Sequence, residues 1–263
     1  MSEIDPSWCV SDEMLRQLDP KEREFLASTI GGKFSPQWFG AHIRRLNIQN
    51  YEHVLDVGSG FGPWSLSLGR ANRSVTAVEP LEGRLDFARQ LLRNNEVKRV
   101  NFLNASAEAI PLPDASVDYI FCNGVLWYAD MDAALAEFSR VAQPGCRLYF
   151  TSISWGWLLH LGLERALLGK RAPNITRRPP FRDRMGSLRF AVQTGLNAAA
   201  RRPTRAFATD QFLKRHINPQ WVRIASGSEG ALKQGLCDSL PEPYYKAATL
   251  GRVNVREFIY RRK

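Results

Sequence analysis

Cysteine is scarce in this chain and scattered. The 263 residues include four, Cys9, Cys122, Cys146 and Cys237, with no CxxC pair and no zinc-finger spacing. That pattern argues against a disulfide scaffold and against a structural zinc site. Cys122 and Cys146 fall in strand-like apolar runs, where a thiol serves as a small buried hydrophobe. HExxH is missing as well, and no metal is expected. No apolar run is long enough to span a bilayer, and residues 1–20 are polar and acidic without an apolar signal core. A cytoplasmic location is therefore expected. Internal repeats and low-complexity tracts are absent.

What is present is an ordinary globular composition, 44% apolar and 24% charged, in a length that holds one large α/β domain with or without a cap. The net charge of +10 is unevenly placed. Residues 155–215 hold 13 Lys/Arg against 3 Asp/Glu, whereas the remainder holds 23 of each. One segment carries the whole excess. A tract this one-sided points to recognition of an anion, although most arginines on a protein surface are simply solvated.

The stretch that organises the chain runs from Val54 to Trp64. An apolar strand passes through D-V-G-S-G-F-G over residues 56–62 and opens at Pro63 into a helix. A strand feeding a glycine-rich turn at a helix N-terminus brings backbone N–H groups against a polar ligand. Gly58, Gly60 and Gly62 are read as removing Cβ atoms where that ligand lies on the main chain. A dinucleotide fingerprint would be G-x-G-x-x-G, but the glycines here run G-x-G-x-G with Pro at 63. Asp56, two residues ahead of the first glycine, would crowd a pyrophosphate and suits an ammonium group. The ligand expected is zwitterionic or cationic.

Together with V-T-A-V-E-P over residues 75–80, this stretch resembles motifs I and II of class I S-adenosylmethionine (SAM)-dependent methyltransferases. S-A-E-A-I-P-L-P-D-A-S-V-D over 106–118 and A-L-A-E-F-S-R-V-A-Q-P-G over 134–145 are similar to two further blocks of that family. Four blocks occur in order at natural spacing, covering residues 50–152. The resemblance implies a Rossmann-like α/β fold: a mostly parallel seven-stranded sheet with an antiparallel last strand, and a helical cap inserted after strand five. The chain divides accordingly into a helical lead-in (1–50), a SAM-binding core (51–153), a basic helical cap (154–217) and C-terminal strands that complete the core (218–263).

Residue patterns place strands at 53–57, 74–79, 100–103, 117–122 and 146–153, with helices at 63–70, 82–94 and 131–141. Ser11, Pro20 and Ser35-Pro36 mark starts of three lead-in helices reaching residues 18, 30 and 46. Pro144-Gly145 reads as a turn. Residues 155–168, with two Trp and six Leu, form a dense apolar helix candidate followed by an arginine-rich tract. Strands are expected at 221–226 and 253–260, with 228–250 irregular.

The resemblance assigns the methionine part of SAM to Asp56 and the loop of Gly58, Ser59, Gly60 and Gly62. It assigns the ribose hydroxyls to Glu79, which Pro80 follows. Ser106 stands where the family carries Asp, so its hydroxyl and the Ala107 N–H are expected to meet adenine, and Asn123 to lie beside the amino-acid end. Methyl transfer needs alignment, exclusion of water and often a proton acceptor. The family frequently carries His after strand four, but Trp127 and Tyr128 hold those places. His160, His216 and Tyr128 are therefore the catalytic candidates, although a lone histidine is more often packed or on the surface.

The function expected is methyl transfer from SAM to a small-molecule acceptor, as an O-methyltransferase acting on an anionic, phosphate-, nucleotide- or lipid-linked sugar-like substrate. The alternatives are a lipid or quinone methyltransferase resting on a membrane through 155–168, a nucleic-acid methyltransferase, and a non-catalytic SAM-binding protein. Strand four ends F-C-N-G without an N-P-P-Y-type motif, which disfavours the nucleic-acid reading.

Overall fold

The computed structural model describes residues 4–154, 156–157, 213, 215–235, 241–244, 248–249 and 252–263. Apart from 156–157, the cap candidate at 155–168 and its arginine tract lie outside them. The expected lead-in helices form, the first ending at Arg16 and not at residue 18, and Ser11 and Ser35 cap as expected. Ser11, Asp19 and Ser35 accept backbone N–H bonds at the starts of α1 (Asp12–Arg16), α2 (Pro20–Ile30) and α3 (Pro36–Arg45). Strands and helices then alternate as β1 (Val54–Val57), α4 (Pro63–Ala71), β2 (Val75–Glu79), α5 (Glu82–Asn94), β3 (Val100–Asn104), β4 (Val117–Cys122), α6 (Met131–Val141) and β5 (Ala142–Ile153). Beyond the undescribed stretch come β6 (Trp221–Ser228), the two-residue strands β7 (Ala248–Thr249) and β8 (Arg252–Val253), and β9 (Val255–Arg262).

Seven strands make one sheet in the order β3-β2-β1-β4-β5-β9-β6. β3 through β5 are parallel, and β9 runs antiparallel between β5 and β6. Alternation of side chains sends Leu55, Val57, Ile120, Leu148 and Phe150 to one face under α6. Val54, Phe121 and Tyr149 point to the other, under α3 and α4. The lead-in packs through Trp8, Leu26, Ile30 and Phe39 against Phe61, Leu66 and Phe87 of the α4–α5 side. It therefore shares a core with the strands that follow.

Of the boundaries that differ from the sequence reading, two follow from strand pairing. β5 begins at Ala142 because Val117 pairs with it before the register shifts and Tyr119 pairs with Arg147. The Pro144-Gly145 pair, with Gly145 at φ +83°, becomes an irregularity inside the strand instead of a closing turn. At the other end, β9 starts at Val255, and 252–253 leave the sheet to pair with 248–249. Part of the segment read as irregular is thus a small ladder.

The lead-in is tied to the antiparallel half of the sheet by a buried ion pair. Arg45, at the end of α3, donates from Nη1 and Nη2 to the two oxygens of Glu257 in β9, at 2.8 and 3.0 Å, and both side chains are 0% exposed. Glu257 also accepts from Leu232 N–H (2.6 Å) and Tyr149 O–H (3.1 Å), while Arg45 donates to the Leu232 carbonyl (2.6 Å). Burial, and then the Arg45 charge, hold His42 down to about pKa 3, so its ring is neutral. Its Nδ1 then accepts from Arg45 Nη2 (3.2 Å), and Nε2–H donates to the Glu242 carbonyl (3.1 Å). Glu257→Leu is expected to destabilise the fold by about 3–5 kcal/mol, because it strands a desolvated guanidinium. Arg45→Met added to it should recover part of that loss. Urea unfolding of the two variants decides this: a double variant no more stable than Glu257→Leu refutes it.

Candidate functional site

Because β1, β2, β3 and β4 are parallel, their carboxyl ends open at one edge of the sheet, where α/β proteins bind ligands. The 58–62 loop leaves β1 there. Gly58, Gly60 and Gly62 have φ of +69°, +56° and +84°, a region that disfavours any side chain. The space around each differs. A Cβ on Gly58 would lie 2.3 Å from Val125 Cγ2, and one on Gly62 would lie 2.9 Å from Ala88 Cβ, whereas one on Gly60 meets nothing within 4 Å. This corrects the expectation that all three glycines make room for a ligand. Gly58 and Gly62 admit protein neighbours; Gly60 alone faces open space.

The loop's hydrogen bonds show which groups remain. Gly58 and Ser59 N–H both donate to the Val78 carbonyl (2.8 and 3.0 Å), and Gly62 N–H donates to the Ser59 carbonyl (3.0 Å). Gly60 N–H reaches across to Glu79 Oε2 at 3.1 Å. Ser59 Oγ is buried and has no hydrogen-bond partner. An orphaned hydroxyl in a ligand loop marks a bond that the protein does not itself complete.

Asp56 lies beneath this loop at 2% exposure and accepts a 2.6 Å bond from Ser65 Oγ of α4. Burial pushes its carboxyl up to about pKa 7; the Ser65 bond opposes the rise and nearby Glu79 adds to it. Glu79, the last residue of β2, is raised by burial too, against the stabilising Leu81 N–H, the Arg84 charge and the Gly60 N–H. Its Oε1 takes the Leu81 N–H at 3.2 Å. Pro80 is exposed, and Leu81 is 49% exposed.

On the neighbouring strands, Ala105 N–H donates to the Glu79 carbonyl (3.3 Å), which brings the end of β3 beside that of β2. Ser106 is half-buried and its carbonyl accepts from Ala109 N–H, while Ala107 is buried in the core. Asn123 follows β4 and is held by Thr151: Thr151 Oγ1 donates to Asn123 Oδ1 (3.1 Å) and accepts from Gly124 N–H (2.8 Å). Tyr128 stands 80% exposed beyond it, within electrostatic reach of Arg84.

His216, the catalytic histidine candidate among the described residues, is not gathered here. His216 lies 2.7 Å from Asp132, in a groove along α6 that none of the 58–62 residues line. His160 lies outside the described residues. His42 and His53 are both engaged by protein groups, His53 through Thr76 Oγ1 and the Ser116 carbonyl. Sequence reading missed Ser65, Thr151 and Leu81. Only Leu81 left a signal, an apolar side chain directly after the Glu-Pro that ends β2.

A family profile described as a methyltransferase domain matches residues 55–150. Over those residues the chain is similar to a methyltransferase domain. SAM is the cofactor of this family. Malonyl-[acyl-carrier protein] O-methyltransferase of Yersinia pestis is 40% identical over 110 residues, which span 41% of this chain and 39% of that protein. Demethylmenaquinone methyltransferase of Listeria welshimeri is 27% identical over 125 residues, 46% of this chain and 53% of that one. The match thus covers from two fifths to about half of these relatives' length. Among solved structures, geranyl diphosphate methyltransferase in complex with SAM superposes with a TM-score of 0.58 at 14% identity, over 96% of this chain and 95% of that one.

The residues present fit SAM. Gly60 gives open backbone, Ser59 Oγ lacks a partner, Glu79 ends β2, and exposed Leu81 offers an apolar face suited to a flat base.

Two expectations follow from this geometry. Gly58→Ala and Gly62→Ala should lower stability by about 2 kcal/mol or more through overpacking plus backbone strain, whereas Gly60→Ala should cost about 1 kcal/mol and act mainly on cofactor affinity. Thermal melts and S-adenosylhomocysteine (SAH) calorimetry separate the two effects, and equal destabilisation by all three would refute the distinction. The second concerns pH. Asp56 binds its proton more tightly in the folded than in the unfolded state, so its stabilising contribution is complete below about pH 4 and is lost as pH rises through about 7. Asp56→Asn should remove this slope, a few kcal/mol in extent. Denaturant melts across that range test it, and an unchanged slope in the variant counts against it.

Proposed function

We propose that this chain is a SAM-dependent O-methyltransferase acting on an anionic small-molecule acceptor whose acceptor atom is a carboxylate oxygen. The observation that carries the reading is the cradle of Gly60, Glu79 and Asn123 at the carboxyl ends of β1, β2 and β4. In it, the Gly60 backbone, Ser59 and Asp56 meet the amino-acid end of the cofactor, Glu79 accepts from the ribose, and Ser106 with Ala107 meets adenine. The bound cofactor supplies an electrophilic methyl group on a sulfonium. The rest falls to the protein, which must align the acceptor and exclude water.

A carboxylate fits what surrounds β4. Among the described residues, the polar and aromatic side chains directly after it are Asn123, Trp127 and Tyr128, and no histidine stands with them. An alcohol or phenol acceptor needs its proton removed; a carboxylate is already ionised at neutral pH. Similarity to a malonyl-[acyl-carrier protein] O-methyltransferase supports the same choice, since a malonyl group ends in a free carboxyl. The surplus of ten positive charges at 155–215 supports an acidic acceptor or carrier, with Arg177, Arg178, Arg182 and Arg184 as the residues that meet it. A second reading, methylation of a quinone or other lipid at a membrane surface, draws on the likeness to demethylmenaquinone methyltransferase and on the apolar 155–168 stretch. No helix among the described residues is long and apolar enough to cross a membrane.

The test is transfer of labelled methyl from SAM to a malonyl thioester, with the product identified as a methyl ester by release of methanol in mild alkali. Changing the four arginines to Gln should leave SAH affinity unchanged and raise the acceptor KM by about tenfold or more, given several lost bidentate contacts. Equal turnover by the quadruple variant would show the tract to be a solvated face. Transfer to a vesicle-borne quinone but not to the thioester would favour the second reading.

A further inference from the structure

Arg84 is engaged on more sides than a surface arginine needs. It lies in the first turn of α5, whose capping residue Leu81 gives its N–H to Glu79 and accepts Arg84 N–H at its carbonyl (3.0 Å). Glu79 and Arg84 are therefore brought together by one turn of chain. The guanidinium then reaches out of that turn. Its Nε and Nη2 donate to Glu22 of α2 at 2.8 and 3.0 Å, the bidentate geometry that a carboxylate imposes. Its plane lies over Phe25 of α2, 4.6 Å from the ring centroid, and over Phe61 of the glycine loop, 5.4 Å away. Phe61 is itself locked edge-on against Phe87 of α5 (5.2 Å). Three elements thus fix one positive charge within electrostatic reach of the carboxylate that ends β2.

We propose that Arg84 is a positioning residue of the cofactor site. Anchored by Glu22, Phe25 and Phe61, it holds Glu79 as an ionised acceptor for the ribose hydroxyls, so that α2 contributes to cofactor binding through a side chain that does not touch the cofactor. This rests on the reading of Glu79 given above. The physical need is plain, since Glu79 is buried and its carboxyl is pushed toward the neutral form, which would offer the ribose one acceptor fewer. The charged groups that face it are Arg84 from α5, Glu22 from α2 and Asp56 from β1, and only the first favours ionisation. Glu22 works both ways: its charge opposes that of Arg84, but its two oxygens fix where the guanidinium sits.

The test is SAH calorimetry from about pH 5.5 to about pH 8.5, with a thermal melt of each protein, for the wild type, Arg84→Gln, Arg84→Lys, Glu79→Gln and the Arg84→Gln/Glu79→Gln pair. Arg84→Gln should weaken SAH about tenfold at the acid end and recover as pH rises, because Glu79 without its cation is protonated at higher pH. Arg84→Lys should restore most of the affinity. In the Glu79→Gln background, loss of Arg84 should change affinity by less than about twofold. If Arg84→Gln does not fold, Arg84→Met replaces it in the same cycle. A loss that is equal at every pH, follows the melting temperature and is not rescued by Lys makes Arg84 a packing clamp and overturns the proposal. Wild-type affinity in Glu79→Gln alone sinks the ribose assignment and the proposal with it, an outcome in which Arg84 plays no part. Failure of the wild type to bind SAH overturns the cofactor reading as a whole.

Discussion

A guanidinium and a carboxylate separated by 212 positions in sequence, both without contact with water, close this molecule on itself. Two charges in an apolar interior are tolerable only when each satisfies the other, and Arg45 and Glu257 do so with two parallel bonds. The remaining lone pairs of Glu257 are taken by Tyr149 and Leu232. The consequence is architectural. α3 cannot leave the antiparallel half of the sheet without exposing an unpaired buried charge. Because α2 and α3 share one aromatic core with the glycine loop, the fixed position of α3 also fixes the wall beside the cofactor edge.

The same economy of contacts separates what could be read from the sequence from what could not. The bounds of α5 and α6 were legible because their apolar residues recur at helical spacing, and Asp130 announces the start of α6 as a cap. The turn after β1 was legible because alternate glycines after a short apolar strand have few other uses. The separate jobs of those glycines were not. Val125 and Ala88, which forbid a Cβ at Gly58 and Gly62, lie far along the chain, and no local pattern points to them. Arg45 reads as an ordinary cation in a last helical turn until β9 is folded against it. Arg84 likewise reads as a surface residue of α5. The start of β5 was missed for the opposite reason: Pro144-Gly145 is a strong local turn signal, and pairing of Ala142 with Val117 overrides it.

The candidate site shows the same division. Glu79 and Asn123 could be placed because strand ends are where α/β sheets present functional groups. Ser65 and Thr151 orient Asp56 and Asn123, but they come from the first turn of a helix and the last residues of a strand, where a hydroxyl is unremarkable in sequence. A hydroxyl supports a carboxyl or an amide without adding charge, and the region around β1 already holds two buried acids.

Those two acids give the site its electrostatic character. Glu79 raises the proton affinity of Asp56, and both are buried beside a loop whose backbone donors are largely spent within the protein. Arg84, the cation within electrostatic reach of Glu79, is itself paired with Glu22, and a ligand carrying an ammonium and a sulfonium adds positive charge to the site. In the reaction proposed, a carboxylate acceptor would approach the cationic end of that ligand, and both charges would vanish on the way to a thioether and an ester. Water stabilises separated ions more than it stabilises neutral products, so excluding water favours this encounter more than it would favour attack by a neutral alcohol. Among the described residues, the exposed rings of Tyr128 and Phe25 and the side chain of Leu81 are apolar groups suited to excluding it. An apolar rim over an acidic floor is therefore better matched to an ionised acceptor, delivered by basic residues elsewhere in the chain, than to one that must first surrender a proton.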